Sequence, residues 1–478
     1  MEIEWIFGGH RFFSKSQVIN DLWQEIMPVQ SKPSKDDIIL DKEKNFAKNG
    51  PDPEKDDVVM LIRNRVSRIY YLKKFFDYPV SLKLQTIKNM GAIRTIKSGF
   101  SYLKACLIKK EESSLENFYI NRFGKTLYSM FFEKYTEKLW GRHPSVISAD
   151  WGAQRVKGIS IKAVLKDAFS KIGNNKSKND TSKVETSLIE EYKYPKFGPG
   201  QFYEELAKRC ESLGAKIIYN ANVSKLIFDN DKISKVEYIK DNSNNNVEAD
   251  IVISSMPIKD LINYLSNVNS KDQNPTQQIL DIANGLPYRD FMTCGLLLKD
   301  LQIKNETKIK TINNNIPDCW IYVQEPDVKM GRIQVFNNWS PYMVEDFEKT
   351  IGIGLEYFCQ ENDEYWNMKD EEFKDFAVSE LEKMKIASKD DVLDYHVERI
   401  KKAYPAYFDT YSQMSQLIEY LNSFKNLYCV GRNGQHRYNN MDHSMLTAIE
   451  AVRCIKDSSI DKSIIWNVNT EKEYHEEK

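Results

Sequence analysis

The stretch from Asn426 to Ile455, NLYCVGRNGQHRYNNMDHSMLTAIEAVRCI, constrains the fold more than any other part of the chain. An apolar run of strand length, Leu427 to Val430, leads into glycines at 431 and 434, and apolar and small residues at helical spacing resume at Leu446. The segment between is a strand-to-helix turn. Asn440 and Asp442 are favoured at helix N-termini, where free N–H groups around His443 and Ser444 attract negative charge. Gly431 and Gly434 let a flat ring or a phosphate approach the backbone closely, because no Cβ intervenes. A polar loop with a capped helix satisfies the same residues.

The turn belongs to an alternation of helices and strands that starts near residue 197. FGPGQFYEELAKRCESLGAKIIYNANVSKLIFDNDKISKVEYI predicts a helix, then strands at Lys216 to Tyr219, near Val223 to Asp229 and at Lys235 to Ile239. Asp250 to Ser255 then predicts a short buried strand. Alternation of this kind requires an α/β sheet. Residues 1–30, 190–265 and 425–478 are therefore expected to form one discontinuous domain. Residues 60–172, rich in aromatics, predict a helical domain, and 280–424, with GLLLKD, CWIYVQ, GRIQVFNNWS and GIGLEYFC before a helix at Glu371 to Met384, a β-rich substrate domain. The charged segment 29–57 and the low-complexity tract 173–183 are expected as exposed insertions.

A composition of 41% hydrophobic and 12% aromatic residues over 478 positions describes a globular chain of two or three domains. The formal net charge of -1 gives no global field for nucleic acid. Seven scattered cysteines, never spaced C-x-x-C, indicate neither a disulfide framework nor a metal site, which fits a reducing cytoplasm. No apolar run is long enough to span a bilayer.

Several motifs occur in an order that carries a resemblance: GGHRFFSKS from Gly8, SRIYYLKKFFDYP from Ser67, FFEKYTEKLWG from Phe131, ISADWGAQRVKG from Ile147, YPKFGPGQ from Tyr194, ISSMP from Ile253, FNNWSP from Phe336 and LEYFC from Leu355. Together they resemble a bacterial family of FAD-dependent oxidoreductases related to amine oxidases, protoporphyrinogen oxidase and UDP-galactopyranose mutase. The fold this implies is an α/β chain: a discontinuous, Rossmann-like FAD-binding domain with a helical domain and a β-rich substrate domain inserted. The implied cofactor is FAD. The implied reaction is hydride transfer from a small-molecule substrate to flavin N5, the alternative being a mutase-like isomerisation of a nucleotide sugar.

By that resemblance Gly431 and Arg432 lie near the ribityl chain and pyrophosphate, and Met441, Asp442 and His443 offer backbone N–H groups to the flavin's carbonyl edge, where negative charge gathers on reduction. Gly8, Gly9, His10 and Arg11 line the ring, with Val223, Ser254 and Ser255 as further cofactor contacts. The expected substrate contacts are Tyr135, Trp140, Arg332, Tyr404 and Tyr407, with Arg332 a bidentate clamp for a diphosphate or carboxylate. Two departures stand out in FFEKYTEKLWG: Lys134 replaces the glycine usual before Tyr135, and Leu139 replaces glutamine. A third is larger. The G-x-G-x-x-G turn that holds the FAD pyrophosphate is absent from this sequence, so the chain as given is expected to bind FAD weakly, and an inactive remnant is a further alternative.

Overall fold

The computed structural model describes residues 5, 9, 11–78, 80, 84–149, 191–267 and 274–468. Gly8, His10 and the tract 173–183 lie outside these. In chain order the elements that position the site begin with α1 (Gln17–Ile26), α2 (Lys35–Leu40), β1 (Met60–Asn64), β2 (Ser67–Tyr71) and β3 (Lys74–Asp77). Four helices follow: α3 (Leu84–Met90), α4 (Ala92–Leu107), α5 (Leu115–Tyr128) and α6 (Lys134–Trp140). After β4 (Glu191–Pro195) come α7 (Gly200–Ser212), β5 (Ala221–Asp229), β6 (Lys232–Lys240), β7 (Ser243–Glu248), β8 (Val252–Ser254), α8 (Ile258–Tyr264), β9 (Leu265–Asn267) and α9 (Gln277–Asn284). The remainder is β10 (Tyr288–Leu298), β11 (Trp320–Val323), β12 (Arg332–Val335), α10 (Phe336–Trp339), β13 (Ile351–Cys359), α11 (Asp370–Met384), β14 (Val392–Pro405), α12 (Met414–Asn422), β15 (Leu427–Cys429), α13 (Gly431–Gly434) and α14 (Met441–Lys456).

The largest sheet has the order β14-β10-β13-β12-β11-β2-β3, antiparallel except where β11 runs parallel to β2. Two of its inner strands, β10 and β13, are buried along their whole length. Helix α11 covers one face, packing Phe373, Ala377 and Leu381 against Met292, Ile333 and Leu355. Three acidic residues in its first turn and Lys383 in its last suit the helix dipole.

Residues 60–172 were expected to be helical, and the structure corrects this for the first eighteen. Ser67 to Asp77 form the hairpin β2-β3 and extend the large sheet, while Met60–Asn64 pairs with β4. Successive residues in SRIYYLKKFF alternate faces, Ile69 and Phe76 buried on one and Tyr70 on the other; aromatic richness alone does not separate strand from helix. Segment 29–57 is corrected too. Gln30, Ser34, Asp36 and Asp37 are buried, because their polar groups have partners: Asp36 pairs with Arg63 at 2.9 Å, Asp37 with Lys44 at 2.5 Å, and Gln30 Oε1 accepts from Ile62 N–H at 2.6 Å. A charge run is solvated only when its counterions are not in the core.

The remaining sheets are smaller. β7-β6-β5-β9 form four strands and β8 pairs in parallel with β15, Ile253 opposite Tyr428. Lys216 to Tyr219, expected as a strand, joins no sheet among the described residues. Strand β8 was expected to be buried, yet Ile251 and Ile253 are exposed. Helix α1 packs on both later parts of the chain: Trp23 stacks between Phe12 at 4.2 Å and Phe202 of α7 at 3.7 Å, and Met441, Met445 and Ile449 of α14 border the same cluster.

Candidate functional site

The site is built outward from Arg332 on β12. Strand alternation puts Arg332 and Gln334 on one face, and antiparallel register sets Glu356 of β13 directly opposite Arg332. The Arg332 Nε pairs with the Glu356 carboxylate, and Gln334 Nε2 donates to its other oxygen. Glu356 is fully buried. Burial works against the Arg332 charge, but the carboxylate outweighs it and holds the guanidinium well above its ordinary pKa; burial likewise pushes the Glu356 carboxyl up while Arg332 pulls it back. Arg332 and Glu356 thus face each other as a buried ion pair, and Gln334 donates to the same carboxylate.

Aromatic rings surround the guanidinium. Its carbon lies 4.7 Å from the ring centres of both Trp320 and Phe358. Trp320 stacks on Tyr322 at 5.8 Å, and Tyr135 of α6 meets Tyr322 edge-on at 5.9 Å. On the other side Arg332 Nη2 donates to Tyr404 Oη at 3.1 Å. Tyr404 stacks on Tyr438 at 6.1 Å, and the Arg432 guanidinium lies over Tyr438 at 4.8 Å and Tyr404 at 5.5 Å. Two guanidinium groups thus flank one phenol. They differ in charge balance: Arg332 is compensated by Glu356, whereas Arg432 donates only to the carbonyls of Ala403 and Asn439 among the described residues.

The strand-to-helix turn adjoins Arg432. Gly431 has φ of +74°, which only glycine adopts without strain, and its N–H donates to Thr447 Oγ1 at 2.8 Å, tying the turn to α14. A Cβ there would meet nothing nearer than Ser255 Cβ at 3.8 Å. The tighter approach is at Gly434, where a Cβ would stand 2.7 Å from the Ser254 carbonyl oxygen. Gly434→Ala is therefore expected to cost about 1–3 kcal/mol through a backbone clash, seen as a lower denaturation midpoint; an unchanged midpoint would refute the close approach.

Asn440 is the N-cap of α14, as its residue type suggests, and His443 Nδ1 accepts from Asn440 N–H at 3.2 Å, closing a capping box. Asp442 is buried beside His443 at 3.5 Å. His436, also from the turn, is wholly buried, with Nε2 against the Ala406 carbonyl at 3.0 Å and its ring edge-on to Tyr288 at 4.7 Å. Burial pushes its pKa down to about 4. Much of the segment's unusual composition therefore serves to lock the turn.

The other expected residues distribute as follows. Gly9 lies against Trp320 and Trp339, where a Cβ would come within 2.7 Å of both rings, so the N-terminal segment reaches the aromatic wall. Arg11 is partly buried. Ser254 is buried next to Gly434, and its Oγ has no hydrogen-bond partner. Tyr407 Oη accepts from Tyr438 N–H at 2.6 Å. Trp140 is buried with Phe118, Tyr128 and Ala406, and Tyr404 and Tyr407 border that cluster. Val223 packs at the margin of a separate core beneath β5 and α12, and Met441 against the cluster around Trp23.

Sequence reasoning missed Glu356, Gln334, Trp320, Tyr322 and Tyr438. Glu356 had a usable signal, since a lone acid inside GIGLEYFC cannot be buried without a counterion. It also missed Lys138 in the motif from Phe131. The Lys138 Nζ is buried and donates to the carbonyls of Met330, Val323 and Glu325 at 2.8, 3.1 and 3.3 Å, fixing α6 to the β11-β12 hairpin; burial lowers its pKa to about 8.

The fold is that of the flavoproteins to which the motifs pointed. The chain superposes on reduced UDP-galactopyranose mutase with a TM-score of 0.73 over 99% of this chain and 89% of that one, at 17% identity. A putative protoporphyrinogen oxidase from Exiguobacterium gives 0.55 over 82% of each chain at 12% identity, and a putrescine oxidase variant 0.51 over 93% and 87% at 11%. No protein-family model matches the chain. At such identities the likeness establishes the fold. Among the described residues no cluster of metal-ligating side chains occurs, and no helix is long and apolar enough to cross a membrane.

Proposed function

We propose that the chain is an FAD-dependent enzyme of the amine oxidase and protoporphyrinogen oxidase superfamily, acting on a small molecule. Within that class the geometry favours isomerase chemistry on a nucleotide sugar over oxidation of an amine. The observation that carries this is the Tyr404 phenol held between Arg332, which donates to its hydroxyl, and Arg432, which lies over its ring and has no carboxylate partner among the described residues. A diphosphate needs positive charge held in fixed orientation. An amine, itself a cation, does not. The more extensive likeness to the mutase supports the same preference.

The residues present fit FAD. Gly431 leaves open space at the turn, and Ser254 Oγ is a buried hydroxyl in need of a partner at its edge. When bound, FAD supplies the redox-active ring on which either hydride transfer or attack at an anomeric carbon depends. Arg432, expected beside the ribityl chain and pyrophosphate, would bring positive charge to the border between cofactor and substrate, Tyr404 orients the substrate's oxygens through a phenolic hydroxyl, and Trp320 with Tyr322 excludes water along the wall.

The test is product analysis of UDP-sugars with the FAD-loaded, chemically reduced full chain, alongside oxygen uptake with polyamines. Conversion of a UDP-sugar to an isomer without net oxidation is the expected result. Amine-driven flavin reduction with no UDP-sugar turnover would overturn the isomerase assignment, and absence of any flavin binding even with FAD present in large excess, read by flavin fluorescence, would count against the whole class. Arg432→Leu is expected to weaken UDP binding roughly tenfold to a hundredfold, the loss of one charge-assisted contact; calorimetric titration with UDP gives the comparison.

A further inference from the structure

Helix α4 presents two unlike faces. Ser98 and Ala105 are buried in its packing on α5, whose backbone turns aside at Gly124 (φ +76°), where a Cβ would lie 2.7 Å from the Tyr102 nitrogen. Small residues and that glycine let the two helices sit close. The opposite face carries Ile93, Ile96, Phe100, Leu103 and Leu107, exposed by 72, 58, 70, 58 and 85%. Their spacing alternates three and four residues, so they form one continuous stripe. A soluble surface rarely leaves such a stripe uncovered.

The charges beside the stripe select what covers it. Lys97 and Lys104 are exposed along one edge of the stripe and the helix itself contains no aspartate or glutamate, while Lys109 and Lys110 past its end are offset by exposed Glu111 and Glu112. Two copies of α4 laid face to face would oppose cation with cation, a destabilising arrangement. An anionic bilayer surface answers both features, since apolar side chains enter the headgroup boundary while lysine and arginine meet lipid phosphates. Sixteen residues are too few to span the hydrocarbon core, so the helix would lie in the plane of the surface.

We propose that α4 is a docking helix through which the protein binds anionic lipid bilayers peripherally. The test is co-sedimentation of the full chain with vesicles of phosphatidylglycerol and phosphatidylcholine, against vesicles of phosphatidylcholine alone. Binding is expected only to the anionic vesicles, with weakening at high salt. Lys97→Glu with Lys104→Glu is expected to lower the partition coefficient by about tenfold or more, and Phe100→Asp by a similar factor; near-UV circular dichroism confirms that these exposed changes leave the fold intact. Equal binding to both kinds of vesicle would overturn the proposal. So would no binding at all, in which case light scattering names the occupant: a dimer that Phe100→Asp converts to monomer means a second copy, and an unaltered monomer means that the chain covers its own helix.

Discussion

Glu356→Leu is expected to lower stability by about 3–5 kcal/mol, the cost of leaving a buried charge without its partner. The glutamate is fully buried and the paired Arg332 side chain is 12% exposed, so water cannot take over the solvation of the guanidinium. Gln334 Nε2 loses its acceptor in the same change. Urea denaturation measures the loss. The double replacement Arg332→Met with Glu356→Leu is expected to recover most of it, because an apolar pair removes both desolvated charges together. Equal stability of the single and double variants would mean that Glu356 contributes through packing, and the ion pair would lose its place as the anchor of the site.

The second large effect is on the acid side of neutrality. His436 is folded into the turn as a neutral ring, with its pKa depressed from 6.5 to about 4 by burial. The stability this contributes is fully present above pH 6.5 and is lost as the pH falls through about 4, since the unfolded chain takes up the proton first. A depression of that size corresponds to about 3 kcal/mol. Other groups titrate in the same window, so the measurement is a comparison: the denaturation midpoint of wild type should fall more steeply from pH 6.5 to 4 than that of His436→Gln, whose amide can still donate to the Ala406 carbonyl. Parallel curves would show that His436 accepts its proton without penalty. Because His436 sits two residues from Gly434, the same protonation should loosen the strand-to-helix turn before the whole chain unfolds.

The strands and helices set by local pattern were legible in the sequence. β10 to β13 and α11 follow from apolar runs and acidic caps, and the turn at 431–440 from its glycines and Asn440. The errors share one cause. Asp36, Asp37 and Gln30 look solvated until Lys44, Arg63 and Ile62 are brought beside them, and the hairpin at 67–77 looks like part of a helical region until β11, some 250 residues later, supplies a neighbour. The candidate site divides in the same way. Arg332 and Tyr404 were legible because their types suit anion binding, whereas Glu356 and Tyr438 owe their place to register between β12 and β13 and to the stack on Tyr404. Such contacts belong to the three-dimensional arrangement and leave little trace in spacing along the chain.

The parallel junction between β2 and β11 also sets a schedule for biosynthesis. Arg68 and the buried Asp318, the ion pair beside it, are 250 positions apart. A ribosome adding roughly 5–20 residues per second delivers the aspartate on the order of ten to fifty seconds after the arginine. Throughout that interval the β2-β3 hairpin has an open edge and a desolvation-sensitive cation with no counterion, the combination that recruits chaperones or other nascent chains. Slowing synthesis is therefore expected to change how much of this protein reaches its folded state, separately from native stability.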